Sequence, residues 1–166
     1  LNSTKTKLTQ ELVRALFEYR AGALYWRARA SANVHAGDLA GFVQGNGYKG
    51  VVINRKIYSL HRIIFLYHYG RLPKIVDHVD GNILNNDVTN LRAATVAANG
   101  ANRRVGRNNT SGVKNVSWHK AIKKWDVRVQ KAGVSHYIGS YETLDDAAHA
   151  AAQARIALHQ EFARHA

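Results

Sequence analysis

The sequence predicts an α+β fold built from two unlike modules, and three observations predict it. Short runs rich in Val, Ile, Tyr and Trp, separated by Gly and Asn, read as strands. Other stretches carry apolar residues at helical spacing. Between them, Asn99 to Thr110 is rich in Gly, Asn and Arg and poor in core residues, so it reads as a linker. The boundary is placed near residue 106, giving a first domain over 1–105 and a second over 106–166. A length of 166 residues suits two small domains, and a hydrophobic content of 46% suffices for packed cores. The halves share basic charge but neither motifs nor strand lengths, so no internal repeat is expected.

In chain order, residues 8 to 20 place Leu8, Leu12, Leu16 and Tyr19 at helical spacing behind Thr9, a candidate N-cap, and predict a short amphipathic helix. Leu24 to Arg27, Gly47 to Ile53 and Lys56 to Leu60 predict strands, with Asn54-Arg55 as a tight hairpin loop. His61 to Tyr69 predicts a helix stopped by Gly70 and by the sole proline, Pro73, and delivers the chain into the Asp77 segment. Beyond the linker, Gly112 to His119, Lys124 to Lys131 and Val134 to Tyr141 predict three strands. The Ala-rich stretch Thr143 to Arg164 predicts a helix packed on them.

Charge narrows the partners. With 24 Lys and Arg against 11 Asp and Glu, the formal charge is +13, which points to a polyanion and first to nucleic acid. No apolar run approaches the roughly 20 residues of a spanning helix, so no membrane partner is expected. The N-terminal stretch lacks the apolar core of a signal peptide. The absence of cysteine excludes disulfides and thiolate metal sites and leaves His, Asp and Asn as metal ligands. Together these fit an intracellular protein.

The chemistry is concentrated in Asp77 to Arg92, which gathers carboxylates, an imidazole and several carboxamides. Phosphodiester hydrolysis needs an activated water, neutralisation of charge growing on phosphate and help for the departing oxygen. Asp77 and an amide oxygen of Asn99 suit Mg2+ or Mn2+, which prefer oxygen donors, while His78, titrating near neutrality, suits the base. In a strand the two neighbours point to opposite faces. The bland alternative is that Asp77, Asn82, Asn85 and Asn86 only build turns, as Asx side chains do when they cap backbone amides.

The combination Asp77-His78-x-Asp80-Gly81-Asn82, Asn85-Asn86, Asn90-Leu91-Arg92 and Asn99 resembles the HNH endonucleases of phage and intron-borne homing enzymes. The resemblance implies a ββα-metal nuclease core over about 74–105, with Asp77 and Asn99 holding a single divalent cation. It also implies that His78 is the general base, that Asn90 orients its ring, and that Asn99 sits in the first turn of a helix capped by Thr95. Asn99 stands where a final histidine often lies, which disfavours zinc. His61-Arg62 also recurs in similar proteins; His61 is given a structural role and Arg62 a phosphate contact through its planar fork.

The second module carries the densest charge. From Gly100 to Gly133 there are nine Lys or Arg against one acid, Asp126, a net +8. Arg103, Arg104, Arg107, Lys120 and Lys123 are candidate DNA contacts. Alternation puts Lys124, Asp126, Arg128 and Gln130 on one strand face and Trp125, Val127 and Val129 on the other. Arg128 and Gln130 are the first candidates for reading base edges, while Trp118, Trp125 and Tyr137 are expected in the core. The other histidines of this half, His119, His136, His149, His159 and His165, have no metal spacing and are assigned no chemistry.

The strings Ser111 to Trp118, Lys124-Trp125, Tyr137 to Tyr141 and Asp146-Ala147-Ala148 resemble the APETALA-type DNA-binding domain of ethylene-response factors, over roughly residues 110 to 162. That resemblance implies a three-stranded antiparallel sheet reading DNA, with one helix packed behind it. Gln160, where a glycine is common, and His119-Lys120-Ala121 depart from the pattern, so base specificity does not carry over.

The expected function is thus a metal-dependent endonuclease acting on double-stranded DNA in a phage-infected or bacterial host cell. It would work as a monomer or dimer with no obligate protein partner. The competing reading is a DNA-binding regulator that keeps a decayed nuclease fold.

Overall fold

In the computed structural model, residues 8–101, 105–106 and 108–159 are described. The chain divides into two compact units, Leu1–Ala94 and Thr95–Ala166. As the composition predicts, helices combine with several small antiparallel sheets.

The first unit opens with α1 (Gln10–Leu16), where the Thr9 hydroxyl accepts from the Leu12 N–H and caps the first turn. The helix stops at Leu16, not near Arg20. Phe17 turns extended, and Phe17–Arg20 becomes β1, paired antiparallel with β2 (Ala23–Trp26) across Ala21-Gly22. The helical spacing of Tyr19 was therefore misleading: four residues gain a strand ladder, and Phe17 is fully buried against Trp26.

β3 (Leu39–Ala40) completes that sheet. A second sheet holds β4 (Phe42–Val43), β5 (Lys49–Ile53) and β6 (Lys56–Ser59). Asn54 and Arg55, with φ of 49° and 61°, form the tight β5–β6 turn with both central residues left-handed. The short strands β3 and β4 were not foreseen, since two-residue strands carry no periodic signal.

α2 (Leu60–Tyr69) follows directly and buries Leu60, His61, Ile63, Ile64, Phe65 and Leu66. Gly70 ends it in the left-handed region, its N–H donating to the Leu66 carbonyl. The core of this unit joins Val13, Phe17, Leu24, Val51 and α2 to Val76 and Leu91. Those last two lie on β7 (Ile75–His78) and β8 (Leu91–Ala94), an antiparallel pair in which Asp77 faces Arg92 and His78 faces Leu91.

The second unit begins with α3 (Val96–Ala101), whose first turn is capped by the Thr95 hydroxyl accepting from the Ala98 N–H. Its sheet runs β11 (Val134–Tyr141), β10 (Lys124–Lys131), β9 (Val116–His119), all antiparallel, with a bulge at Val127/Arg128. α4 (Leu144–His159) packs through Ala147 and Ala151 against Val116 and Val127. The small alanines let the helix approach a sheet too small to bury larger side chains. The Thr143 hydroxyl accepts from the Asp146 N–H at the start of α4.

Candidate active site

β7 carries two consecutive buried ionisable residues, Asp77 and His78, 6% and 4% exposed. Strand alternation sends them to opposite sides. Asp77 meets Arg92 across the ladder: the guanidinium donates from Nε and Nη2 to Oδ2, at 3.1 and 3.0 Å. A buried carboxylate demands such a partner, because desolvation without it is costly.

His78 turns toward α2 and the loop before β5. Its ring lies 5.0 Å from that of His61 and 6.2 Å from that of Tyr48, centroid to centroid. Gly47, with φ of 84°, carries the chain close past the Ile83 side chain and so brings Tyr48 to this side. Burial, reinforced by His78 and Arg62, pushes the His61 imidazole down to about 3, so it is neutral at ordinary pH.

The His78 Nε2 lies 3.0 Å from the Asn86 Oδ1. With Oδ1 accepting, the proton of this bond sits on Nε2. The carboxamide that meets the ring is therefore Asn86, not Asn90. The Asn90 side chain is directed elsewhere: Oδ1 accepts the Asp80 N–H at 3.0 Å, and Nδ2 donates to Asp80 Oδ1 and to the Asn85 carbonyl. Asp80 is the hub of the loop, accepting also from the Asn82 N–H and from Asn85 Nδ2, both at 2.7 Å. Burial raises the Asp80 carboxyl, but the bonds from Asn85, Asn82 and Asn90, with His78 nearby, outweigh it and hold the group below the usual carboxylate range.

The loop is anchored at its far end. Asp87 caps the 3₁₀ turn Val88–Asn90 through the Thr89 N–H, and the Tyr19 hydroxyl of β1 accepts from the Val88 N–H. The misread strand β1 thus supports the site. Asn82 and Asn85 do build Asx turns, bonding the N–H groups of Leu84 and Asp87. Asn86, 2% exposed, is the asparagine of this run that is buried beside His78. Its type and position gave no hint of this, since all three read alike in sequence.

The remaining candidates are placed as follows. Arg62 donates from both Nη atoms to the carbonyls of Lys74 and Pro73, so its fork ties down the chain entering β7. Asn99 lies on α3, its N–H bonded to the Thr95 carbonyl. Lys120 and Lys123 are exposed in the β9–β10 turn. Arg128 and Gln130 are exposed on β10, with the Arg128 guanidinium 5.0 Å over the Tyr137 ring and 3.4 Å from Asp126. Tyr137 and Trp118 are 55% and 42% exposed, so of the three expected core aromatics only Trp125 packs into the core of this unit. Arg103, Arg104, Arg107 and His165 lie outside the described residues.

Among the described residues, no three His, Asp or Glu converge to hold a metal.

Residues 58–101 match the family profile described as HNH endonuclease. The match begins on β6 and covers α2, β7, the Asp80 loop, β8 and α3. Protein 3.8 of Escherichia phage T7 is 38% identical over 97 residues, which are 57% of this chain and 79% of that protein. The chain belongs to the protein 3.8 family. Its residues 58–101 form an HNH endonuclease domain. An uncharacterised HNH endonuclease of Acanthamoeba polyphaga mimivirus is 37% identical over 93 residues, which are 54% of this chain and 47% of the mimivirus protein. The chain thus spans about half the length of that relative. No solved structure matches the chain. For this member of the protein 3.8 family, the structure puts the buried pair Asp77 and His78 inside the HNH match.

Proposed function

We propose that the HNH domain is a divalent-metal-dependent endonuclease that hydrolyses double-stranded DNA, with His78 as general base. The observation that carries this reading is the pair Asp77-His78, buried side by side on β7 and aimed to opposite sides. Nothing in packing alone calls for a buried imidazole and a buried carboxylate at consecutive positions.

His78 takes a proton from the attacking water through the ring nitrogen that does not face Asn86. Asn86 fixes the tautomer and the ring plane, as second partners of catalytic histidines do. Neutral His61 and Tyr48 flank the ring, which is buried. Asp77 and Asn99 are the proposed ligands of the cation, Mg2+ or Mn2+, and when bound it neutralises charge on the phosphate and assists the leaving oxygen. Arg92 holds the Asp77 carboxylate in place across the ladder. Asn90 acts through the loop, locking Asp80 to the end of β7.

The second unit is proposed to place the domain on DNA. Lys120, Lys123, Arg128 and Gln130 on its three-stranded sheet and the adjoining turn supply an exposed basic and polar surface in support of this reading. Arg62, engaged with backbone carbonyls, is proposed as a positioning residue. Plasmid cleavage with Mg2+ or Mn2+, compared between the wild type and His78→Ala, tests the nuclease reading. If no preparation cuts but DNA still binds in a salt-dependent way, the chain is a DNA-binding regulator on a decayed nuclease fold.

A further inference from the structure

The second unit holds a cleft of about 600 Å³ whose lining includes Lys114, Asn115, Arg128, Gln130, Arg155 and His159 and, among the described residues, no acidic residue. Arg155 is its unusual member. It lies on α4, otherwise largely alanine at its buried positions, and is 3% exposed. Arginine is seldom buried to this degree without a carboxylate partner. Yet no ion pair among the described residues includes it. Its Nη1 donates to the Lys114 carbonyl at 2.9 Å, and its Nε has no acceptor among the described residues. The described residues leave this cation uncompensated, and the cost falls if an anion occupies the cleft.

The rest of the lining suits one anion in particular. Lys114 and Arg128 add positive charge, and Gln130 adds a neutral carboxamide. The Asn115 Oδ1 is buried without a donor, although its Nδ2 donates to the Arg128 carbonyl. The cleft therefore lacks an acceptor at Arg155 and a donor at Asn115. A phosphate group with an attached hydroxyl or bridging water supplies both, whereas a carboxylate alone supplies only the first. The planar guanidinium is matched to tetrahedral oxygens, and the Nη1 bond to Lys114 holds it in one plane. Burial also draws the Arg155 guanidinium below its ordinary range, in keeping with a charge that lacks a partner.

The geometry points to a phosphate-binding site in this cleft, centred on Arg155 and flanked by Lys114, Arg128 and His159. The phosphate belongs either to a nucleic-acid strand or to a small phosphate-bearing molecule; the strand source rests on the DNA-binding reading above. Arg155 and Lys114 are additional to the exposed residues of β10 and the β9–β10 turn proposed to meet DNA. They take a phosphate inside the fold rather than on its outer surface.

The test follows the Arg155 guanidinium signals by nitrogen-detected NMR in the full chain, first with inorganic phosphate and then with a short duplex in the presence of a chelator. The expected result is a saturable shift of the Arg155 signals with both. A shift with phosphate alone assigns the site to a small phosphate-bearing molecule and overturns the strand source. If the duplex moves other amides but neither ligand moves Arg155, the site is overturned while the DNA-binding reading stands. If the duplex moves nothing, DNA binding fails, and the phosphate arm alone decides the site. Arg155→Lys, which keeps the charge and removes the fork, is expected to weaken phosphate binding roughly tenfold. Because the wild-type titration needs no variant, misfolding of the substituted chain leaves the test intact.

Discussion

At the residue scale, function turns on which side chain touches which. Asp77 and His78 stood out in the sequence as a candidate base beside a candidate hard ligand, because that pairing has a chemical use that turns lack, and both are buried. Asn86 was not legible: it stands in a run with Asn82 and Asn85, and the backbone path alone decides that it is the one buried beside the imidazole. Asn86→Leu should therefore lower kcat by about 10- to 100-fold with little change in KM, and steady-state kinetics on a plasmid substrate checks this. Asn90→Ala should instead loosen the Asp80 loop, lowering thermal stability as well as activity. Arg92→Met takes the guanidinium away from a buried carboxylate and should destabilise the first unit, by an amount on the order of 3 kcal/mol, in denaturant unfolding. His61 brings a pH dependence whose sign follows from its neutrality. Its imidazole is pushed down to about 3 in the fold, against an ordinary value of 6.5, so the unfolded chain binds more protons between those limits. The stabilisation is complete above about pH 6.5 and is lost as pH falls toward 3, by up to roughly 1.4 kcal/mol per pH unit. His61→Phe should flatten that acid limb in urea titrations run at several pH values.

At the element scale, long periodic segments were legible and short ones were not. α2 ran as its apolar spacing and Gly70 implied, and the Asn54-Arg55 hairpin formed as its residue types implied. β1 was hidden because Tyr19 continues the helical spacing of Leu12 and Leu16, while the decisive interaction, pairing with β2, lies across a turn. That turn also bears on the site. Gly22 has φ of 79°, and a Cβ there would stand 2.9 Å from the Asp87 backbone nitrogen and 3.2 Å from the Asn86 carbonyl carbon. Gly22→Ala adds backbone strain to a steric clash and should destabilise by more than about 1 kcal/mol. It should also reduce cleavage, because the displaced segment carries the partner of His78. Measuring melting temperature and activity on the same preparation checks both effects.

At the scale of the whole molecule, the sequence placed the linker by composition and expected a boundary near residue 106, whereas compactness divides the chain between Ala94 and Thr95. Composition could not reveal that α3, which carries Asn99, groups with the second unit, because its Ala and Asn content suits either side. The two units have separate hydrophobic clusters. Val127→Ala should lower the unfolding free energy of the second unit by about 1–2 kcal/mol while leaving that of the first unchanged, as tryptophan and near-ultraviolet probes of each unit would report. The strongly basic second half also predicts a steep salt dependence of DNA binding, reduced by about one unit of slope in Arg128→Ala. All of this serves the claim that the HNH domain cuts DNA with His78 as its base. Incubating supercoiled plasmid with the chain and Mg2+ or Mn2+ tests it most directly: the wild type should nick or cut the DNA, and His78→Ala should lose about 100-fold or more of that rate. Equal cleavage by His78→Ala, from a preparation free of other nucleases, would contradict the account.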